Sequence, residues 1–432
     1  MTSYSSSRRS VVGPSKPRLL RRLGPGLISG ASDDDPTAIA TYSHTGAKFG
    51  FELCWLVFLC LPLMVVVQEI SGRVGRTTGR GIAGNLRKYY PPWLLYPGIG
   101  LLLVANIAAI SADLAAMGSV VQLMVGGIRL LYVAAFGIAC VVAQVLFAYS
   151  RYVKILKWTT LSLLAYPAAV LLVGADWAEV ATGFFPHIAL DREWITTTIA
   201  IFGVALSPYI FFWQASQEAE DQRVQPQREP LIKVPDQAPA ALERIRIDTW
   251  AGMVVAVAVG LSIIVTTSAT LHSHGQTDVE SAAQAAQALA PIAGKFAFAL
   301  FALGILGTGL LAIPVLAGSA AYAIGEALKW PVGLARAPLE AKAFYATVGL
   351  ATCAGVGVNF IGIDSIRALY WSAVINGVIA APALALMVII ASRRAVMGAF
   401  IIEWPLRLGG WIGVALISLC IGAMIGLPLI GS

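Results

Sequence analysis

Ionisable residues are scarce in this sequence: only 12% of its 432 residues are Asp, Glu, Lys or Arg, whereas 58% are hydrophobic. The mean hydropathy of +0.77 lies far above that of a soluble globular protein. The longest polar stretch, residues 217–248, reads as a basic loop and is too short for a catalytic or nucleotide-binding domain. These shortages exclude a soluble enzyme. They predict a polytopic membrane protein whose energy source is an ion gradient or the membrane potential.

Soft metal ligands are also few. The five cysteines all fall in predicted membrane spans without metal-ligand spacing, and we interpret them as packing residues. The four histidines show no common pattern, and three of them fall in predicted external loops. The sequence therefore predicts no enzymatic activity, no bound cofactor and no metal centre built from Cys or His.

Long apolar segments are what the sequence has instead. A helix of about 20 apolar residues crosses about 30 Å of hydrocarbon. Eleven segments meet this length, near residues 24–47, 52–70, 95–120, 129–149, 155–175, 195–216, 248–270, 294–322, 342–360, 366–391 and 408–430. We therefore predict an all-α membrane protein with about eleven transmembrane helices in the lipid bilayer.

The basic residues predict how these helices are oriented. With the N-terminus in the cytoplasm, 25 of the 30 Lys and Arg residues fall on the cytoplasmic side, as the positive-inside rule requires. The net charge of +7 is then explained by topology, without a nucleic-acid partner. We expect a disordered basic tail at 1–22, a cytoplasmic N-terminus and an external C-terminus. The short loops fit a bacterial inner membrane.

A run of three carboxylates interrupts the first apolar segment, where Asp33, Asp34 and Asp35 precede Pro36. A charged side chain at the centre of a membrane helix costs roughly 2.5–3.5 kcal/mol, so it normally faces a cavity, a partner or an ion. The proline favours a helix break beside Asp35. Because successive residues rotate by about 100°, the three carboxylates cannot share one face.

These carboxylates predict a site for a hard cation. We assign Asp35 as its principal ligand, and Asp33 and Asp34 to the ion path, where they are paired or protonated. The alternative is that Asp35 caps the second half of the broken helix, as Asp often does at a helix start. Thr37 fits either role.

A second mid-membrane proline, Pro208, lies in segment 6. Segments 1 and 6 cross the membrane in opposite directions, and interrupted helices at matching positions of two halves indicate a transporter site between inverted repeats. The predicted organisation is five helices plus five. A transporter core at 23–407 contains repeats at about 23–175 and 195–391, and an additional helix follows at 408–432.

The residues around Pro208 offer only oxygen. The available groups are the side chains of Ser207 and Tyr209 and the carbonyls of Val204 and Ala205, which the proline frees. Oxygen ligands suit Mg²⁺, Mn²⁺ or Ca²⁺, whereas softer transition metals favour thiolate, thioether or imidazole. The sequence thus indicates a hard divalent cation as the transported substrate.

Two further polar residues lie in other segments. Asp113 on segment 3 is interpreted as a proton or cation relay, with a structural role as the alternative. Asn376 on segment 10 either completes the site or, as we favour, forms a hydrogen bond between helices.

These motifs resemble the natural resistance-associated macrophage protein (NRAMP) family of divalent metal transporters, over residues of about 24–398. The resemblance is carried by Gly24-Pro25-Gly26, Asp35-Pro36, Gly46-Ala47, Asp113, Pro208, Asp248 and the stretch 392–398. It implies a LeuT-like fold of five plus five helices with helices 1 and 6 broken, and transport by alternating access.

The sequence also departs from this family. The resemblance places the family's Asn and Met ligands at Ala38 and Ser207, and a glycine of its first-helix motif at Thr37. Its pathway His corresponds to Tyr209 and its helix-3 Glu lies near Ala116. The missing thioether weakens selection of transition metals over Mg²⁺ and Ca²⁺, and the missing His weakens proton coupling. The pattern is similar to that of Nramp-related magnesium transporters, a divergent branch.

The sequence therefore predicts a secondary transporter that imports Mg²⁺ or Mn²⁺. A proton-coupled Mn²⁺ and Fe²⁺ transporter of the same family is the first alternative. An organic-solute carrier of the same fold is the second, although three aspartates at the break disfavour an anionic substrate. An intramembrane aspartyl protease is disfavoured, because the Gly-x-Gly-Asp motif typical of such enzymes is absent from the sequence.

Overall fold

The computed structural model describes residues 25–146, 160–189, 191–225, 227–277, 279, 282–361 and 365–430. The predicted tail at 1–22 lies outside the described residues. The α-helices are α1 (Pro25–Asp33), α2 (Pro36–Phe49), α3 (Cys54–Thr78), α4 (Ile82–Tyr89), α5 (Pro92–Val125), α6 (Arg129–Leu146), α7 (Ala165–Val173), α8 (Trp177–Thr182), α9 (Arg192–Ala205), α10 (Pro208–Val224), α11 (Ala238–Thr270), α12 (Ala282–Leu328), α13 (Lys342–Phe360), α14 (Ser365–Ser392), α15 (Arg394–Met397) and α16 (Trp404–Ile430). Short 3₁₀ turns lie at Thr160–Leu164, Pro235–Gln237 and His272–His274.

Both predicted helix breaks are present. The helix α1 ends at Asp33 and α2 begins at Pro36, while α9 ends at Ala205 and α10 begins at Pro208. In each case the proline occupies the first position of the new helix, where its missing N–H costs nothing. The two prolines therefore start half-helices instead of bending continuous ones.

The apolar helices agree with the predicted count. Nine helical segments of the described residues, with α9 and α10 taken together as one, are long and apolar enough to cross a membrane. The broken pair α1 and α2 and the shorter apolar helix at Leu161–Val173 account for the two remaining predicted spans. The chain is an integral membrane protein.

The predicted boundaries are wrong where helices continue past their apolar part. The stretch 217–248 is not a loop throughout, because α10 runs to Val224 and α11 begins at Ala238. Likewise α12 begins at Ala282, twelve residues before the predicted start near 294. Hydropathy marks where side chains become polar, whereas backbone hydrogen bonding continues into the polar region.

Glycines allow the broken helices to pack closely at the centre of the molecule. A Cβ added to Gly30 on α1 would lie 2.3 Å from the carbonyl oxygen of Gly252 on α11. A Cβ added to Gly203 on α9 would lie 2.0 Å from the carbonyl oxygen of Ala373 on α14. Small residues at such crossings permit backbone contact between membrane helices. The first break is thereby held against α11 and the second against α14.

Candidate functional site

The two helix breaks meet through one side chain. The hydroxyl of Tyr209, on the first turn of α10, lies 2.7 Å from the carbonyl oxygen of Ser32 and 3.2 Å from Oδ2 of Asp35. All three residues are buried. A hydroxyl carries one hydrogen, so Tyr209 donates to one of these acceptors at a time, and the Ser32 carbonyl is the nearer. Asp35 and Tyr209, predicted on separate segments, are thus brought together.

Asp35 caps the second half of the first helix. Its Oδ1 accepts the amide hydrogen of Ala38 across 2.7 Å, and its carbonyl accepts that of Ile39 across 2.9 Å. A carboxylate here also complements the positive end of the helix dipole. The cap uses Oδ1, whereas Oδ2 faces Tyr209. The two roles proposed for Asp35, cap and ligand, therefore use different oxygens and are compatible.

Asp113 reaches the same helix end from α5. Its Oδ1 accepts hydrogen bonds from the amide of Thr37 across 3.2 Å and from the hydroxyl of Thr37 across 3.0 Å. Pro36 has no amide hydrogen, so Asp35 and Asp113 together satisfy the amides of the first turn of α2. The Oδ2 of Asp113 is buried and has no hydrogen-bond partner among the described residues.

Asp33 and Asp34 share the Tyr42 hydroxyl with Asp35 as an electrostatic neighbour, and each interacts with a further buried group. The Cys60 thiol on α3 is an electrostatic neighbour of Asp33, and the Tyr166 hydroxyl on α7 is one of Asp34. Oδ1 of Asp33, Oδ2 of Asp34 and the Tyr166 hydroxyl are buried without a hydrogen-bond partner within the described part of the chain. Their assignment to the ion path stays a prediction.

The end of α9 supplies the predicted backbone oxygens. The Ser207 hydroxyl donates to the carbonyls of Gly203 and Val204, at 2.8 and 2.9 Å. The sequence predicted a free carbonyl at Val204, but this carbonyl accepts a hydrogen bond from Ser207. Its oxygen has a second lone pair, which is still available to an ion. The Ala205 carbonyl lies at the last residue of α9, and its partner in an unbroken helix would be the Tyr209 amide beyond the break.

The site is closed to solvent. Asp35 is 4% exposed and Asp113 is fully buried, and the other predicted site side chains are buried as well: Asp33, Asp34, Thr37, Ser207, Tyr209 and Asn376. Within the described residues, no ion pair involves Asp33, Asp34, Asp35 or Asp113. No cluster of three or more His, Cys, Asp or Glu side chains suited to a metal occurs in the described ranges either. A cation at Asp35 would thus meet at most two such side chains of the described residues, with hydroxyls, carbonyls and water as further ligands.

The model of the natural resistance-associated macrophage protein-like family matches residues 26–426. The chain belongs to the Nramp family. Its relatives include the divalent metal cation transporter MntH of Aeromonas hydrophila, with 27% identity over 90% of this chain and 91% of that protein. The MntH of Acidiphilium cryptum has 25% identity over 94% of this chain and 90% of that protein. The resemblance inferred from the sequence is confirmed, and the match extends beyond residue 398 into α16.

Solved structures show the same fold. The Eremococcus coleocola manganese transporter superposes with a TM-score of 0.73 at 15% identity, over 94% of this chain and 86% of that one. The structure of MhsT in complex with L-phenylalanine gives a TM-score of 0.57 at 14% identity, over 93% of this chain and 98% of that one. These similarities confirm the LeuT-like architecture predicted for this Nramp-family member, and family membership makes it a transporter and not an enzyme.

In this Nramp-family member, the C-terminal part of α10 carries residues whose roles the sequence did not reveal. Glu218 on α10 is fully buried and pairs with Arg244 on α11. Glu220 accepts from the Tyr322 hydroxyl and from the amide of Ala335. Both glutamates are buried, so in this conformation neither lies at a solvated helix end. Long-range pairing of this kind has no local sequence signal.

Asn376 is buried on α14. Its neighbour Gly377 approaches α9 closely, because a Cβ there would lie 2.7 Å from the Ile199 carbonyl oxygen. This position is compatible with both predicted roles of Asn376, a hydrogen bond between helices and completion of the ion site. Its role stays a prediction.

Proposed function

We propose that this protein imports Mg²⁺ or Mn²⁺ by alternating access around Asp35. That it transports a divalent metal cation, as the sequence predicted, follows from its family and from relatives named divalent metal cation transporters. The choice of ion and the mode of energy coupling are our proposal, as are a bacterial inner membrane and a cytoplasmic N-terminus.

The donor set at the breaks supports a hard cation. Asp35 offers Oδ2, because its Oδ1 caps α2. The further groups assigned to the ion are the hydroxyls of Thr37 and Ser207 and the carbonyls of Val204 and Ala205, and all of them are oxygens. Mg²⁺ dehydrates reluctantly and keeps several waters, so a site with one carboxylate and few side-chain ligands suits it.

The broken helices supply the moving parts. The half-helices α1 and α10 contact each other through the Ser29 hydroxyl, which donates to the Gln214 side-chain oxygen across 2.6 Å. A break uncouples such a half-helix from its continuation, so α1 can tilt while α2 and Asp35 stay in place. The closed arrangement corresponds to an occluded state between the two access states.

Uptake into proteoliposomes tests the proposal. Mg²⁺ and Mn²⁺ are offered in parallel to vesicles that contain a pH dye, with Ca²⁺ as competitor. We expect Mg²⁺ to enter without acidification, and Ca²⁺ to compete. Mn²⁺ entry with acidification and little Mg²⁺ entry would contradict the proposed ion and the absence of proton coupling.

The latter outcome would support a proton-coupled Mn²⁺ and Fe²⁺ transporter. The observation that favours this second function is the family itself, since the chain matches MntH proteins over most of their length. In that case other groups would replace the thioether and imidazole that the resemblance finds missing at Ser207 and Tyr209.

A further inference from the structure

The Thr37 hydroxyl is fixed by a carboxylate on another helix. It donates to Oδ1 of Asp113 across 3.0 Å, and the Thr37 amide donates to the same oxygen. Thr37 is 1% exposed and Asp113 is fully buried, so water does not compete for these bonds. Because a hydroxyl has one hydrogen, this bond leaves its two lone pairs facing away from the carboxylate.

The neighbouring threonines of α2 behave differently. The hydroxyl of Thr41 donates to the carbonyl of Thr37, and that of Thr45 donates to the carbonyl of Thr41. Both bonds follow the local pattern in which Ser and Thr bond the carbonyl four residues earlier. For Thr37 that carbonyl would be the one of Asp33, across the break. The Thr37 hydroxyl is instead directed to Asp113, next to the ligand Asp35.

We propose that Asp113 is a positioning residue for the ion site, which turns the lone pairs of the Thr37 hydroxyl toward the cation and accepts a hydrogen bond from a water on that cation. Its Oδ1 performs the first task, and its buried Oδ2, which has no hydrogen-bond partner in the described part of the chain, is available for the second. This inference rests on the proposed cation site at Asp35. It replaces the interpretation of Asp113 as a relay.

The chemistry of metal sites supports this division of work. A hydrogen bond from a ligand to an outer carboxylate fixes the orientation of the ligand and makes it a stronger donor, and loss of such a partner typically costs about 10–100-fold in metal affinity. Mg²⁺ keeps several waters, which need acceptors around the ion. The Asp113 carboxylate serves both needs from one helix, α5.

A double-mutant cycle tests this inference, with Thr37→Val, Asp113→Ala and the double variant in the full-length protein. The Kd values of Mg²⁺ and Mn²⁺ are measured by isothermal titration calorimetry, and uptake is measured in proteoliposomes. We expect each single change to raise the Kd by about 10–100-fold. We expect the double variant to be little worse than Asp113→Ala alone, because that change already removes the contact with Thr37.

Matched variants separate positioning from a purely structural role. Thr37→Ser restores the hydroxyl that Thr37→Val removes, so its Kd should lie well below that of Thr37→Val. Thr45→Val removes a buried hydroxyl from the same helix, away from the break, and should also leave the Kd unchanged. Additive effects in the cycle, or a wild-type Kd in Thr37→Val, would overturn the inference.

The cycle is independent of the identity of the ion. If wild-type protein transports Mn²⁺ and not Mg²⁺, the proposed ion is wrong, and the same cycle measured with Mn²⁺ still decides the role of Asp113. Variants that lower the melting temperature without changing the Kd would count against positioning.

Discussion

The carboxylate of Asp248 caps the start of the first half-helix: its Oδ2 lies 2.7 Å from the amide nitrogen of Gly26. Its Oδ1 also accepts the amide of Leu27 across 3.1 Å. Asp248 lies on α11, which packs against α1 along the glycine contact of Gly30 and Gly252. One residue, 222 positions away from Gly26 in the sequence, therefore fixes the start of α1 against α11 in this arrangement.

Removal of this cap should loosen α1. We expect Asp248→Ala to cost about 1 kcal/mol, the usual loss for a helix cap, and to increase amide hydrogen exchange in α1. Asn has one acceptor oxygen and replaces the other with an NH2 donor, so Asp248→Asn can keep only one of the two bonds and should give intermediate protection. Hydrogen exchange of the wild-type protein, Asp248→Ala and Asp248→Asn is compared by mass spectrometry. Equal protection of α1 in all three would contradict a stabilising cap by Asp248.

Asp35→Ala should abolish ion uptake, since it removes the carboxylate that faces Tyr209 between the two breaks. The variant also loses a helix cap, which must be separated from the loss of the ligand. Asp191 caps α9 in the same way, accepting the amide of Trp194 across 2.9 Å. Asp191→Ala should thus lose a similar amount of stability, about 1 kcal/mol, but retain uptake. Undiminished uptake in Asp35→Ala would remove Asp35 from the mechanism.

Tyr209→Phe should destabilise the protein, because it strands the Ser32 carbonyl that the hydroxyl satisfies. A buried polar group without a partner costs about 1–3 kcal/mol. Tyr132 donates to the Gly126 carbonyl at an exposed position, so Tyr132→Phe is a matched control with little expected effect. Melting temperatures in detergent measure the loss of stability in each variant. Equal shifts in Tyr209→Phe and Tyr132→Phe would argue against a stabilising hydrogen bond from Tyr209 to Ser32.

The sequence predicted the two helix breaks better than the ends of the long helices. Pro36 and Pro208 indicated the breaks, because a missing backbone donor has the same consequence in every context. The carboxylates next to Pro36 indicated that a cation is transported, because burial of charge is costly wherever it occurs. In contrast, the extension of α11 to Ala238 could not be read from hydropathy, which is silent about helices in polar surroundings.

Contacts between residues that lie far apart in the sequence could not be predicted, for a different reason. Asp113 was recognised as a buried polar residue, but nothing near it indicates that Thr37, 76 positions away, is its partner. The pairing of Glu218 with Arg244 was missed in the same way. Such bonds depend on which helix faces cross, and one sequence does not determine those crossings.

The crossing of α1 and α11 should tolerate no added side chain. Gly30→Ala would place a Cβ 2.3 Å from the Gly252 carbonyl oxygen, so the helices must separate. Overpacking of this kind costs typically about 1–3 kcal/mol. Gly100 on α5 has no heavy atom within 4 Å of an added Cβ, and Gly100→Ala should instead stabilise slightly, because Ala is the better helix former. Melting temperatures that shift in the same direction would contradict this packing.

Ion selectivity should respond to a thioether at Ser207. Ser207→Met adds a soft sulphur next to the second break, whereas Ser207→Leu has a similar volume and no sulphur. Both variants lose the bonds to Gly203 and Val204, so their difference isolates the sulphur. We expect the ratio of Mn²⁺ to Mg²⁺ uptake to be about tenfold higher for Met than for Leu, which corresponds to ~1.4 kcal/mol. Equal ratios in proteoliposomes would mean that the side chain at 207 does not reach the ion, and that selectivity is set by Asp35 and the backbone oxygens.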